Sequence, residues 1–260
     1  MDFFSHITET EHTLRVASRA RSYYYHHDHC EHAVLFIHGF SACPATLKPL
    51  AKWLHQKGMN VYGVRVAGHG TNLQDFASST WQDWEDSVHK AFEFLTAKYR
   101  YVSIVSSSMG ALLAIRLASN HIVKNLICMG AFLKAKNPFF YLSKTLCFLQ
   151  PYIRFSLGSI TNGTIPIERA GFWYERLPIK SILELYKLQR LTISMIENIS
   201  CPTMVLHAPS DPVSHPDSAT FLYNGLKTKN KQLFWFGHEH VFILESDKVA
   251  YSPIFSFLNH

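Results

Sequence analysis

The 260-residue chain contains no run of about 18 uncharged apolar residues, so no membrane-spanning helix is expected. It opens with "MDFFSHITETEH", which carries acidic residues and no basic-then-apolar pattern, so no secretory signal peptide is expected. Its five cysteines (Cys30, Cys43, Cys128, Cys147 and Cys201) form no CxxC pair and are odd in number and widely spaced. That argues against a disulfide framework and for reduced thiols in a cytoplasmic setting. No basic stripe appears: the formal charge is +6, but Lys and Arg are scattered, and the largest group is Arg15, Arg19 and Arg21. With no nucleic-acid-binding motif either, that function is excluded. Attraction to anionic lipid surfaces or acidic substrates stays open. Charged residues make up only 17% against 47% hydrophobic, which excludes disorder and supplies a substantial core. No internal repeat or low-complexity linker breaks the chain.

What is present is an alternation of strand and helix patterns. "AVLFI" (33–37) is a continuous apolar run ending at His38-Gly39, as a buried parallel strand reads. A helix follows over 44–57, closed by Gly58, then a strand over 60–66. Trp81, Trp84, Val88, Ala91 and Leu95 share one face of a helix from Trp81 to Ala97, capped by Ser79 or Thr80. Strands over 101–106 and 124–131 flank a helix over 109–119. The alternation resumes with a helix near 181–197, a strand over 203–208, a helix near 216–227, a strand over 231–236 and a last helix near 248–258. Repeated βαβ units predict an α/β fold, a mostly parallel sheet with helices on both faces. Residues 132–180, rich in Phe, Tyr and Leu, interrupt the pattern and read as an inserted cap on a single core domain formed by 1–131 and 181–260.

The sharpest motif is "VSSSMGA" (105–111), three serines at a strand-to-helix turn. This is the setting of a nucleophile elbow, in which the positions two before and two after the nucleophile must be small. For Ser108 they are Ser106 and Gly110. For Ser107 they would be Val105 and Met109, and for Ser106 one would be Ile104, all too large. Sterics therefore select Ser108, at a helix N-terminus that favours developing negative charge. A serine needs a base, and the base an orienting acid, in the chain order Ser, Asp/Glu, His on this kind of sheet. Asp211 lies in the loop after strand 203–208; Asp217 is set to open the next helix, and Glu197 precedes the strand. After strand 231–236, "GHEHVF" offers His238 and His240, which spacing alone does not separate. Two backbone N–H groups, of Met109 and of Phe40 in the turn "HGFSA", are the oxyanion donors, with Gly39 letting the backbone bend. His38 reads as a turn-packing histidine.

These motifs together resemble the α/β-hydrolase superfamily, and within it the small bacterial carboxylesterases and monoacylglycerol-lipase-like serine hydrolases. The resemblance runs from about residue 33 to 258. It is carried by "VLFIHGFSACPATLKPLAKWLHQKGMNVYGVRVAGHG", "TWQDWEDSVHKAFEFL", "SSSMGA", "APSDPVSHPDSA" and "HEHVFILESDK". Ser106 and Ala111 stand where those enzymes carry glycines, and both are small. The resemblance implies the α/β-hydrolase fold and a Ser108–Asp211–His240 triad, with His240 chosen because the family's histidine is followed by valine. It also implies cleavage of short-to-medium acyl or monoacylglycerol-type esters through an acyl-enzyme, with no cofactor and no metal. Thioesterase or lysophospholipase activity on the same triad is the alternative, and a non-catalytic binding protein of the same fold is a reading of another class.

Two further segments have competing readings. In "YYYHHDHCEH" (23–32), His26, His27, Asp28, His29, Cys30, Glu31 and His32 are of zinc-ligating types. Ligands so crowded rarely converge on one ion, so the stretch reads as a polar hairpin turn. In the cap, Phe139, Phe140 and Phe148 are candidate walls of an acyl pocket as well as packing residues. Lys134, Lys136, Lys144 and Arg154 among them allow a third reading, an interfacial surface that meets lipid.

Overall fold

The computed structural model describes residues 3–142, 151–154, 174–240, 243 and 248–260. Seven strands form one sheet: Tyr23–Tyr25 (β1), His32–Ile37 (β2), Asn60–Val64 (β3), Tyr101–Ser107 (β4), Leu126–Met129 (β5), Thr203–His207 (β8) and Lys231–Trp235 (β9). Their order is β1-β3-β2-β4-β5-β8-β9. All neighbours pair in parallel except β1, which runs antiparallel to β3. The segment 23–32 departs from the polar hairpin turn expected of it. It is not a hairpin turn, because Tyr23–Tyr25 pair with β3, and residues 26–31 carry the chain over to β2 on the other side of β3.

The strand periodicity sorts the core into two layers. Along β2, Ala33, Leu35 and Ile37 face one cluster, while Val34 and Phe36 face the other. The first layer is filled by helices Trp81–Lys98 (α4), Met109–Asn120 (α5), Ile179–Ile193 (α6) and Asp217–Gly225 (α7); the second by Lys48–Gln56 (α2) and Tyr251–Asn259 (α8). Leu50 and Leu54 of α2 are fully buried there, and truncating either to alanine costs about 2–5 kcal/mol by the usual cavity penalty. Thr80, not Ser79, caps α4: its side chain accepts from Asp83 N while the Asp83 carboxylate accepts from Thr80 N. Ser79 instead accepts the indole N–H of buried Trp84 at 3.0 Å.

Composition and periodicity alone do not disclose four further elements. The helix Phe3–Thr13 (α1) is tied down by buried Glu11, which accepts from Ser22 and from Arg65 Nε at 3.2 Å. The short helix Leu73–Ser78 (α3) is capped by Asn72. Within the expected cap, Tyr152–Arg154 (β6) and Arg176–Pro178 (β7) form an antiparallel pair. Among the described residues no helix is long and apolar enough to cross a membrane. Cys30, Cys43, Cys128 and Cys201 are free thiols, and Cys147 lies outside the described residues.

Candidate active site

The carboxyl ends of β2, β4, β5, β8 and β9 converge at one edge of the sheet, the place where parallel sheets gather ligands. Ser108 sits between β4 and α5 with φ 57° and ψ −119°. Such a backbone costs a non-glycine residue about 1–3 kcal/mol. The turn is held by hydrogen bonds on both sides: Ser108 N–H donates to Met129 O at 2.9 Å, and its carbonyl accepts from Ala111 N at 3.1 Å and Phe132 N at 3.4 Å. Gly110 lets the elbow close on β2. A Cβ there would lie 2.3 Å from Ile37 O and 2.6 Å from His38 O. At the other flanking position Ser106 fits because its hydroxyl turns inward to donate to Ile127 O at 2.8 Å.

The Ser108 hydroxyl lies 2.8 Å from His240 Nε2, and His240 Nδ1 lies 2.7 Å from Asp211 Oδ2. A carboxylate only accepts, so Nδ1 carries the proton and Nε2 is left to accept from the serine. All three residues are buried. The second carboxylate oxygen of Asp211 accepts from Val213 N at 2.7 Å and Ser214 N at 2.8 Å. Burial pushes the Asp211 carboxyl up, but the His240 imidazole, His207 and the Val213 amide outweigh it and hold the pKa below the usual aspartate value.

The turn after β2 lies against the serine: a Cβ on Gly39 would meet Ser108 Cβ at 3.0 Å. Phe40, next in the turn, packs its ring against Phe76, His69 and Trp84. Met109 opens α5, and a first-turn N–H has no acceptor inside its helix. His38 is buried with both ring nitrogens engaged: Nδ1 donates to Gly39 O at 2.9 Å, and Nε2 accepts from Val66 N at 3.1 Å. Burial, with His69 adding to it, keeps its pKa well below the histidine norm. It is therefore a neutral strut under the turn.

Asp217 begins α7 and pairs with Lys134 at 2.6 Å, away from His240, while exposed Glu197 pairs with Lys227. The histidines of 26–32 are drawn to separate partners: His26 to Asp28, His27 to the His55 carbonyl and ring, His32 to Ser103 Oγ. Among the described residues no three His, Cys, Asp or Glu side chains are arranged to hold a metal ion. Half-buried Phe140 packs edge-on against Phe132, ring centroids 5.0 Å apart, and Phe132 is the residue whose N–H reaches Ser108 O. Phe148 and the Phe139 side chain lie outside the described residues.

Several contributors were not singled out in the sequence. The amides of Val213 and Ser214 were legible in principle, since Asp-Pro-x-x favours an aspartate side chain that accepts from the backbone two residues on. Pro212 has no N–H, so the bonds fall on the next two residues. Tyr174 stacks on Phe76 and bonds Gly68 O and Thr71 N, joining the end of the cap segment to the "GHG" turn. Residues 134–136 run antiparallel beside 213–215, with Lys136 N bonded to Val213 O, His215 N to Lys134 O, and Ser214 Oγ to Ala131 O. None of these carries a spacing signal.

The family model described as "Serine aminopeptidase, S33" matches residues 28–162. A thermostable monoacylglycerol lipase of Bacillus sp. (strain H-257) is 28% identical over 83% of this chain and 85% of its own. A carboxylesterase of Bacillus subtilis (strain 168) is 25% identical over 87% of this chain and 92% of its own. Among solved structures, one from work on LipS and LipT, two metagenome-derived lipolytic enzymes, superposes with a TM-score of 0.86 at 22% identity, covering 94% of this chain and 99% of that one. A soluble variant of monoglyceride lipase from Saccharomyces cerevisiae, in complex with a substrate analogue, superposes with a TM-score of 0.74 at 17% identity over 92% and 91%. At these identities the two structures share the fold.

Proposed function

Because this chain belongs to the serine aminopeptidase S33 family and has the α/β-hydrolase fold, we propose that it cleaves carboxylic esters through a Ser108–His240–Asp211 triad and an acyl-enzyme. The observation that carries the reading is the buried, hydrogen-bonded series from Ser108 Oγ through His240 to Asp211, with Ser108 on a strained turn. His240 takes the serine proton as the oxygen attacks the ester carbonyl. The N–H groups of Phe40 and Met109 receive the oxyanion. Asp211 fixes the imidazole tautomer and stabilises the imidazolium, which then protonates the leaving alcohol; water, activated by the same imidazole, releases the acid.

The substrates in this reading are short-to-medium acyl esters or monoacylglycerols; the two Bacillus relatives are named as a monoacylglycerol lipase and a carboxylesterase. Residues 132–180 act as the cap, and Phe140 is the described candidate for its apolar wall, backed by Phe132 and Tyr186. The test is a panel of chromogenic esters of increasing acyl length, run beside a fluorophosphonate label. Each buried CH₂ contributes about 0.8 kcal/mol, close to fourfold in kcat/KM when felt in the transition state. The profile should rise, peak and fall, and Phe140→Ala should move the peak to longer chains. A flat profile unmoved by Phe140→Ala removes the acyl-pocket role, and failure of Ser108 to label removes the triad. A thioester or an aminoacyl anilide turned over faster than every ester would transfer the site to thioesterase or aminopeptidase chemistry.

A further inference from the structure

The acid end of the relay holds a second imidazole that the reaction above does not use. His207 closes β8, is fully buried and stands at i−4 from Asp211. Its Nε2 lies 3.2 Å from Ser214 O and 3.5 Å from Asp211 Oδ2. That is the carboxylate oxygen that His240 Nδ1 approaches at 2.7 Å. A carbonyl and a carboxylate both accept only, so His207 Nε2 carries a proton. Its Nδ1 has no hydrogen-bond partner among the described residues, and a proton there would be buried without an acceptor. The ring is thereby fixed as the neutral Nε2–H tautomer. Burial pushes its pKa below the usual histidine value, and the opposing pull of Asp211 is too weak to reverse this.

We propose that His207 is a positioning residue for the acid, its Nε2–H bonded to Ser214 O and facing Asp211 Oδ2 so that one chosen carboxylate oxygen faces His240. The proposal rests on the Ser108–His240–Asp211 reading and deepens it. A carboxylate has about four acceptor positions. In Asp211, Oδ1 takes the Val213 and Ser214 amides, and Oδ2 takes His240 and the facing His207 dipole. With donors on both oxygens, any rotation of the carboxylate would break hydrogen bonds on both sides. The same N–H also closes the 211–214 turn through the Ser214 carbonyl, so the acid and its cradle are held by one ring.

The contact has a second effect, on charge. A donor on Oδ2 takes up part of the negative charge that would otherwise bear on His240. Without it Asp211 becomes more basic, and the imidazolium formed during turnover is held more tightly. The groups facing His207 are Asp211 and His215 from the loop after β8, His240 from the loop after β9, and the Trp235 ring of β9. Of these only Asp211 faces the Nε2–H, at 3.5 Å.

The experiment is the pH profile of kcat/KM, from about pH 5 to 9, for wild type, His207→Met and His207→Gln with a chromogenic ester. His207→Met keeps bulk without a donor and should move the acid-side inflection up by about half a unit or more, because the Nε2–H dipole that faces the charged form of Asp211 is gone. It should also lower kcat about tenfold, because the hydrogen bond to Ser214 O that steadies the Asp211 turn is lost. His207→Gln restores an N–H donor and should return the inflection to that of wild type. A merely packing histidine would lower stability without moving the inflection, so an unmoved profile in a folded His207→Met overturns the proposal. If that variant does not fold, ¹⁵N NMR of the wild-type imidazoles decides: a neutral Nε2–H ring is expected near neutral pH, and a protonated ring or the Nδ1–H tautomer overturns it. Asp211→Asn separates the two readings. Full activity there sinks the relay and the His207 proposal with it, whereas an inactive Asp211→Asn beside an unmoved His207→Met sinks only the latter.

Discussion

The α-carbon of Gly110 lies so close to the end of β2 that a methyl group on it would sit 2.3 Å from the Ile37 carbonyl oxygen. The obstacle is backbone, with no side chain free to swing away. Gly110→Ala should therefore either separate α5 from β2 or flatten the Ser108 turn. We expect a loss of about 1–3 kcal/mol in urea unfolding and a larger proportional loss of turnover. A variant as stable and active as wild type would mean that the elbow is looser than its geometry.

The three adjacent serines should behave unequally. Ser108→Ala removes the proposed nucleophile and should lower kcat by about three orders of magnitude or more. Ser107→Ala should keep most of the activity. Ser106→Ala should do the same while losing about 1 kcal/mol of stability, since its hydroxyl spends its hydrogen bond on Ile127 O. Steady-state kinetics on the three purified variants would check the order, and near-wild-type turnover in Ser108→Ala would falsify the assignment.

Two histidines two positions apart give an equally sharp contrast. His240→Ala should abolish fluorophosphonate labelling of Ser108, because no other imidazole lies within hydrogen-bond reach of its hydroxyl among the described residues. His238→Ala should reduce it only modestly. Intact-mass spectrometry reads both, and the reverse result would shift the base by two residues.

Acid should unfold the protein earlier than its carboxylates alone require. Burial holds His69 down to about 4 and His38 well below the ordinary value, against 6.5 for the unperturbed ring. Between pH 6.5 and about 4 the unfolded chain thus binds more protons at these sites than the folded one. Stability is fully present above that window and falls as the pH falls through it. Each ring adds up to about 1.4 kcal/mol per pH unit to the slope. His69→Phe keeps a ring against Phe40, Phe76 and Trp84, and should make the slope shallower by about one proton in urea titrations across that range. An identical slope in the variant would show that His69 protonates freely in the native state.

Much of this site could be read from residue order because its parts lie at strand ends, and strand ends are where apolar runs stop. "AVLFI" stops before Gly39 and Phe40, "YVSIV" before the serines, "TMVLHA" before Asp211, and "KQLFWF" before the histidines. Each group of the candidate site therefore follows a hydrophobic period that can be recognised. Ser108 was separable from its neighbours because close backbone approach is a steric demand, and steric demands show in residue size. What stayed hidden depends on pairing between distant segments. Tyr23–Tyr25 look like the start of a polar turn because an edge strand of three residues has no period to speak of, and only β3 reveals them as a strand. His207 reads as the polar end of a buried strand; its meaning comes from a turn that folds Asp211 and Ser214 back over it. Spacing alone does not separate His238 from His240, since distance to Ser108 is not a property of sequence spacing; the valine after His240, read through the family resemblance, is what selects it.

The ladder between 134–136 and 213–215 sets a rule for anyone who would exchange the segment between β5 and α6 with that of a relative. Its first residues look like the beginning of a variable insertion, yet they are the outer wall of the acid loop. Lys136 N–H, Lys134 O and the Ala131 carbonyl all end on residues 213–218. A graft that begins at residue 132 would carry away half of that ladder and leave the Asp211 turn to find new partners. One that begins at 137 leaves it whole. The natural seam for recombination thus lies inside the insertion, several residues beyond where the core pattern in the sequence stops.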